Sequence, residues 1–151
     1  TLTEDGSILY DEIPYFAPEV LSFIESPTPL HFKKFHKGLE QLLQEGVIQS
    51  YDLPDAARKV PLLGAAGPLQ FEIVQYRLQS EYGADSRLEP APWTVTRWID
   101  PSTNLDAIKL PYGARLARDG HGRPVLLLEN IWGLRHFSER NPDVELRSLP
   151  F

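Results

Sequence analysis

The chain has 151 residues, 42% of them hydrophobic, with 21 acidic against 15 basic residues for a formal net charge of −6, and neither cysteine nor methionine. That length suits one ordinary domain, or two small halves sharing a core, and the composition is globular rather than disordered. The acidic balance excludes holding nucleic acid by bulk phosphate neutralisation; the lack of cysteine excludes disulfides, thiolate nucleophiles and Cys-ligated zinc; and no apolar run reaches the ~20 residues that span a bilayer.

A cysteine-free chain fits a reducing compartment, so the expected location is cytoplasmic. The opening "TLTEDGSILYDEIP" has neither the basic start nor the apolar core of a signal peptide. With Pro14 and Pro18 flanking "YFA", residues 1–14 read as a connector from a preceding domain.

Glu19 to Glu25 carries Val20, Leu21, Phe23 and Ile24 ahead of the breaker cluster "SPTP", which predicts a short strand. A first helix follows. Thr28 is placed to cap it with its hydroxyl, Pro29 suits its first position, and Gly46 suits its end. Between them Phe32, Phe35, Leu39, Leu42 and Leu43 recur at steps of three and four, predicting one buried face.

Two strands are predicted next, Val47 to Leu53 and Val60 to Ala65, joined by the hairpin loop "PDAARK", with Pro61 suited to a sheet edge. A second helix is predicted from Pro68 to Tyr82, ended by Gly83. Its core stripe is Phe71, Val74, Leu78 and Tyr82, widened by Leu69, Ile73 and Tyr76. "ADSRLEP" then supplies a last strand.

The order β-α-β-β-α-β over residues 15–91 predicts an α+β fold whose first half is a ferredoxin-like split βαβ layer with both helices on one face. Residues 92–151 hint at the same order: "WTVTRWID", a short helix in "PSTNLDAIKL", strands at "GARLA" and "PVLLLE", a helix at "NIWGLRHFSERN", then "DVELRS". Pro111 and Gly113 interrupt the region of its first helix, so this half is expected to be α+β, packed on the first, of open topology. Trp93, Trp98 and Trp132 can all be placed in strand or helix stripes without an exposed patch, so a monomer is expected.

Several chemistries fail on their residue patterns. After Gly64 and Gly67 a phosphate-binding loop needs Lys and Ser or Thr, but Pro68, Leu69 and Gln70 stand there, and the third glycine of a dinucleotide site is missing. A backbone-gripping GxxG loop would join two helices, whereas Val60 to Leu63 reads as a strand. The pair is expected to be a structural turn into a buried helix. His31, His36, His121 and His136 lack metal-ligand spacing, "RDGHGR" reads as an Asp-Gly turn between strands, and the paired carboxylates fall in loops or at a helix end. No catalytic, cofactor or metal residue is assigned.

The one local basic surface is Lys33, Lys34 and Lys37 on the first helix, with Arg58 and Lys59 in the hairpin loop. Such a cluster is a solvated helix face or a contact for the phosphates of a structured RNA.

The run "FAPEVLSFIESPTPLHFKKFHKGLEQLLQEG" followed by "GAAGPLQFEIVQYRLQSEYG" resembles the C-terminal domain of the bacterial peptide chain release factor 3 family of translational GTPases. The matching positions include Phe16 to Glu19, Lys37 to Leu39, Glu45-Gly46, Gly64, Gly67, Leu69 to Phe71, Arg77-Leu78 and Ser80 to Tyr82. In elongation factor G the related helix opens Gly-Glu-Leu-His-Leu; Gln70-Phe71 here favours the release factor. The likeness continues through "RWID" and "ERNPDVELR", and departs between Asp100 and Gly120, which is shorter and more Pro-interrupted than the family's long charged helix.

The resemblance implies a domain that contacts the ribosome, both small-subunit protein and ribosomal RNA. It implies an intact protein that uses GTP, with magnesium, in a preceding GTPase domain to promote departure of class I release factors. It implies contact with its own GTPase and barrel domains, an indirect effect on class I release factors, no membrane, and no enzyme activity in this segment. Two other classes stay open: a free-standing ferredoxin-like regulatory module binding a small molecule in a polar pocket between the halves, and a generic RNA-binding module with a basic, aromatic sheet face.

Overall fold

The computed structural model describes residues 17–54 and 60–151, so the expected connector at residues 1–14 lies outside them. The described chain is α+β, with one antiparallel sheet and three α-helices. In chain order these are β1 (Val20–Glu25), a 3-10 turn (Pro29–His31), α1 (Phe32–Gln44), β2 (Gln49–Asp52), β3 (Leu62–Ala65), α2 (Pro68–Tyr82), β4 (Arg87–Pro90), β5 (Val95–Ile99), a second 3-10 turn (Leu105–Ala107), β6 (Arg115–Asp119), β7 (Pro124–Leu128), α3 (Ile131–Arg140) and β8 (Leu146–Arg147). The eight strands lie side by side in the order β4, β1, β3, β2, β6, β7, β5, β8.

Local sequence explains most of these bounds. Pro68 opens α2, and Gly83 closes it at φ 63°, a left-handed conformation that a side chain would resist. Thr28 stands before the first helical turn as expected, but its hydroxyl makes no cap: the backbone carbonyl accepts from His31 N instead, tightening the entry into a 3-10 turn. Pro61 is not at a sheet edge. It precedes β3, an interior strand between β1 and β2, and its carbonyl accepts from Ile24 N.

Alternation along the strands builds a four-layer sandwich. Val20 and Ile24 of β1 with Leu63 and Ala65 of β3 face α1 and α2, where Phe35, Leu39, Leu42, Phe71, Val74 and Leu78 complete an outer core. The opposite face meets strands β5 to β7: Leu21, Tyr51 and Leu62 pack with Trp98, Ala117, Val125 and Leu127 in a central core. Phe23 and Trp93 reach across it edge to face, ring centroids 6.1 Å apart. Leu126, Leu128 and Ile99 then face Phe137 of α3 in a third core. The uninterrupted apolar run of β7 follows from this, since both of its faces are covered.

Where a first helix was expected in the second half there is only the 3-10 turn Leu105–Ala107, with Asn104 Oδ1 accepting from Asp106 N. Pro111 and a left-handed Gly113, φ 85°, stop anything longer. The connection is fastened by Asn141 just past α3, whose amide both accepts from Lys109 N and donates to Lys109 O, each at 2.8 Å.

One buried polar group is a built-in cost. Thr96 is buried on β5, and its Oγ1 has no hydrogen-bond partner among the described residues. Thr96→Val keeps the shape and removes the orphaned hydroxyl, so it should raise stability by about 1 kcal/mol, read as a higher urea midpoint at constant slope.

Candidate functional surface

Helix α1 hides Phe35, Gly38, Leu39 and Leu42 and exposes Lys33, Lys34 and Lys37. Spacings of three and four residues put these ammonium groups on one flank of its first two turns. Among the described residues none of the three makes an ion pair, and the first turn contains no acidic residue. Cations at a helix N-terminus oppose the positive end of the macrodipole, so this placement works against the helix while concentrating positive potential at one corner of an acidic chain. Arg58 and Lys59, expected to join the patch, lie outside the described residues.

The corner also carries exposed apolar surface, including Phe32, which the sequence pattern assigned to the core. Phe32 is 54% exposed and Leu30 91% exposed; Phe32 packs on His36 with ring centroids 4.3 Å apart rather than on the sheet. Phe32 begins the helix one turn ahead of Phe35 and stays outside the core that Phe35 enters, which periodicity alone does not reveal.

Helix α2 departs further from expectation. Phe71, Val74 and Leu78 are buried, whereas Leu69, Ile73 and Tyr76 point away from the sheet. The widened stripe is two stripes, and the second is uncovered among the described residues. Helices α1 and α2 touch at Gly38, where an added Cβ would stand 2.7 Å from both Leu78 Cδ2 and Tyr82 Cδ2. Arg77 locks the same crossing by donating Nη1 to Glu45 Oε1 at 2.6 Å and Nε to Glu81 Oε2 at 2.8 Å. Its hydrogen bonds hold both carboxylates below the usual range.

The glycine pair proves structural, with a divided role. Gly64 lies inside β3, where an added Cβ would meet Pro18 Cβ and Tyr51 Cε2 at 2.8 Å, so it serves close packing rather than a turn. Gly67 caps α2 in extended conformation. Neither position presents a lysine or hydroxyl fitted to hold a nucleotide phosphate.

Asp119 was legible only as part of a turn, yet it organises the seam between β2 and β6, where Tyr51 pairs with Asp119 and Asp52 with Arg118. Its buried carboxylate accepts from Trp98 Nε1 at 3.0 Å, from the backbone N–H of His121 and Arg123 at 2.9 Å, and from Arg123 Nε at 2.8 Å. Burial alone would raise its pKa; the four donors outweigh that and leave it lowered. Burial, with the Asp119 charge added, raises the Tyr51 phenol.

Beside this seam lies an open groove of about 330 Å3 lined by Ser50, Tyr51, Asp52, Leu53, Val60, Pro61, Asp119 and Gly120. The buried Asp119 carboxylate on its wall is already engaged by these four donors. No set of three or more His, Cys, Asp or Glu side chains is placed to hold a metal among the described residues, and none of their helices is long and apolar enough to cross a membrane. Trp132, expected within a stripe, is 64% exposed, with the Arg135 guanidinium 5.1 Å from its ring centroid.

Comparison with known proteins identifies the family of the sequence. Residues 10–138 match the sequence model of the class II release factor RF3 C-terminal domain. Peptide chain release factor 3 of Synechococcus elongatus is 41% identical over 141 residues, covering 93% of this chain and 25% of the relative. The proteins of that name from Acaryochloris marina and Gloeothece citriformis are each 39% identical over 150 residues, covering 99% of this chain and 28% of theirs. The chain thus spans about a quarter of the length of the curated relatives it matches. By that match, this chain belongs to the class II release factor RF3 C-terminal domain family.

Proposed function

We propose that this chain is the ribosome-contacting C-terminal domain of a translation termination factor which, as an intact cytoplasmic protein, uses GTP to promote departure of class I release factors from the ribosome. GTP and magnesium belong to a preceding GTPase domain joined through a β-barrel, and this segment is a monomeric, non-catalytic arm. Its strand order β4, β1, β3, β2 is read as the ferredoxin-like split βαβ arrangement of residues 15–91, and β8, β5, β7, β6 as the same order over residues 92–151. Family membership supports the termination role.

The observation that carries the ribosome contact is the lysine cluster, which has no ion-pair partner among the described residues. Three exposed cations in the first two turns of α1, with Lys33 and Lys34 at its positive end, in a chain of net charge −6, oppose the helix dipole there and are useful to an anionic partner. Small-subunit RNA phosphates, with ribosomal protein beside them, are that partner. A nucleotide-dependent reorientation of the intact factor would act through contacts that differ between its two states.

The test is ribosome pelleting by the intact factor with GTP across a salt series. Lys33→Glu, Lys34→Glu and Lys37→Glu together should weaken binding and lower the slope of log affinity against log salt by about 2–3, near one for each phosphate that the variant no longer neutralises. Parental affinity and slope would leave the lysines as a solvated face. A coding region upstream of Thr1 without a GxxxxGK[ST] segment would overturn the termination-factor reading itself.

A further inference from the structure

We infer that the outer stripe of α2 is the surface on which the preceding domain of the intact polypeptide packs. This rests on reading the chain as one domain of a longer factor. Leu69, Ile73 and Tyr76 are 61%, 39% and 71% exposed, and they recur at steps of four and three along one flank, continued at its start by exposed Pro68 and Ala66. A helix apolar on two flanks is a helix covered on two flanks, and here only the flank bearing Phe71, Val74 and Leu78 is covered among the described residues.

The path of the chain identifies the occupant. The described polypeptide enters at Ala17, and Glu19 N donates to Ala65 O, so it arrives where β3 ends, three residues ahead of Pro68 at the start of the stripe. Pro18 is seated against Gly64 at that same end. The relatives carry about three quarters of their length outside the matched region, and the matched family is a C-terminal domain, so that length precedes β1. The polypeptide leading to that length therefore reaches the described fold beside Ala66, Pro68 and Leu69. The Phe32 and Trp132 patches lack this link: Phe32 begins α1, whose Gly38 meets α2 at Leu78 and Tyr82 near its far end, and Trp132 lies on α3, beyond the other sheet face.

Hydroxyl-radical footprinting of the intact factor, free of ribosomes and at several dilutions, tests this directly. Tyr76 and Ile73 should be oxidised several-fold less than Phe32 and Trp132, at every dilution. Leu69→Lys with Ile73→Lys should restore Tyr76 oxidation and enlarge the radius of gyration in solution scattering, with the molecular mass unchanged. Tyr76 oxidised as readily as Trp132 overturns the inference, as does protection that fades on dilution, which would indicate a second copy, or protection seen only with ribosomes. Ribosome pelleting of the same sample separates the two claims: protection without pelleting sinks the proposed function alone, and pelleting without protection sinks only this interface.

Discussion

Asp119→Ala should lower the unfolding free energy by about 3 kcal/mol, the lower end of the ~3–5 kcal/mol that follows removal of one partner from a buried ion pair. The lower end is expected because the Arg123 side chain is 27% exposed and can turn to water, whereas Trp98 Nε1 and the N–H groups of His121 and Arg123 lose their acceptor in place. Asp119→Asn should cost nearly as much despite equal volume, because an amide cannot accept from four donors as a carboxylate does. The sign with pH is fixed by the lowered pKa. The stabilisation is complete above the unfolded carboxylate pKa and is lost as pH falls through the folded value, so the alanine variant should show a flatter acid limb than the parent. Urea titrations at neutral and acid pH measure both; a cost under ~1 kcal/mol, the range of an exposed pair, would remove Asp119 from its place at the seam.

Leu78→Ala should cost about 2–5 kcal/mol, as for a fully buried leucine whose cavity cannot collapse. Gly38→Ala should cost about 1–3 kcal/mol by overpacking against Leu78 and Tyr82. The double variant should cost less than the sum, since the added methyl enters part of the space Leu78 vacates, with Tyr82 still resisting on the other side. Leu69→Ala, on the uncovered flank of the same helix, should stay within about ±0.5 kcal/mol in this domain. Strict additivity of the first pair, measured by denaturant unfolding, would mean that α1 and α2 do not cross at Gly38.

That contrast marks where sequence reading succeeds and where it stops. The bounds of α2 were legible because Pro68 and Gly83 act through their own backbone. The buried face was not, because Phe71, Val74, Leu78 and Leu69, Ile73, Tyr76 are equally apolar, and only the sheet decides which set is covered. Strand β7 was legible from its unbroken apolar run, and the lysines of α1 from their spacing. Asp119 was hidden because its four donors come from two separate segments, and pattern within one stretch cannot report a partner 21 residues away such as Trp98. Gly64 likewise reads as a turn until Pro18 and Tyr51 are seen against it. A signal existed for the outer α2 stripe: too many apolar residues for one flank.

The sheet's two outermost strands have a consequence for the company this molecule keeps. β4 has four residues and ends in Pro90, which has no N–H to offer, and β8 has only two, Leu146 and Arg147. Among the described residues these margins offer an extended peptide little ladder to extend, which disfavours exchange of strands between copies and fibril-like growth at the periphery. Association is thereby left to side-chain surfaces, which can be engaged and released without unravelling a strand.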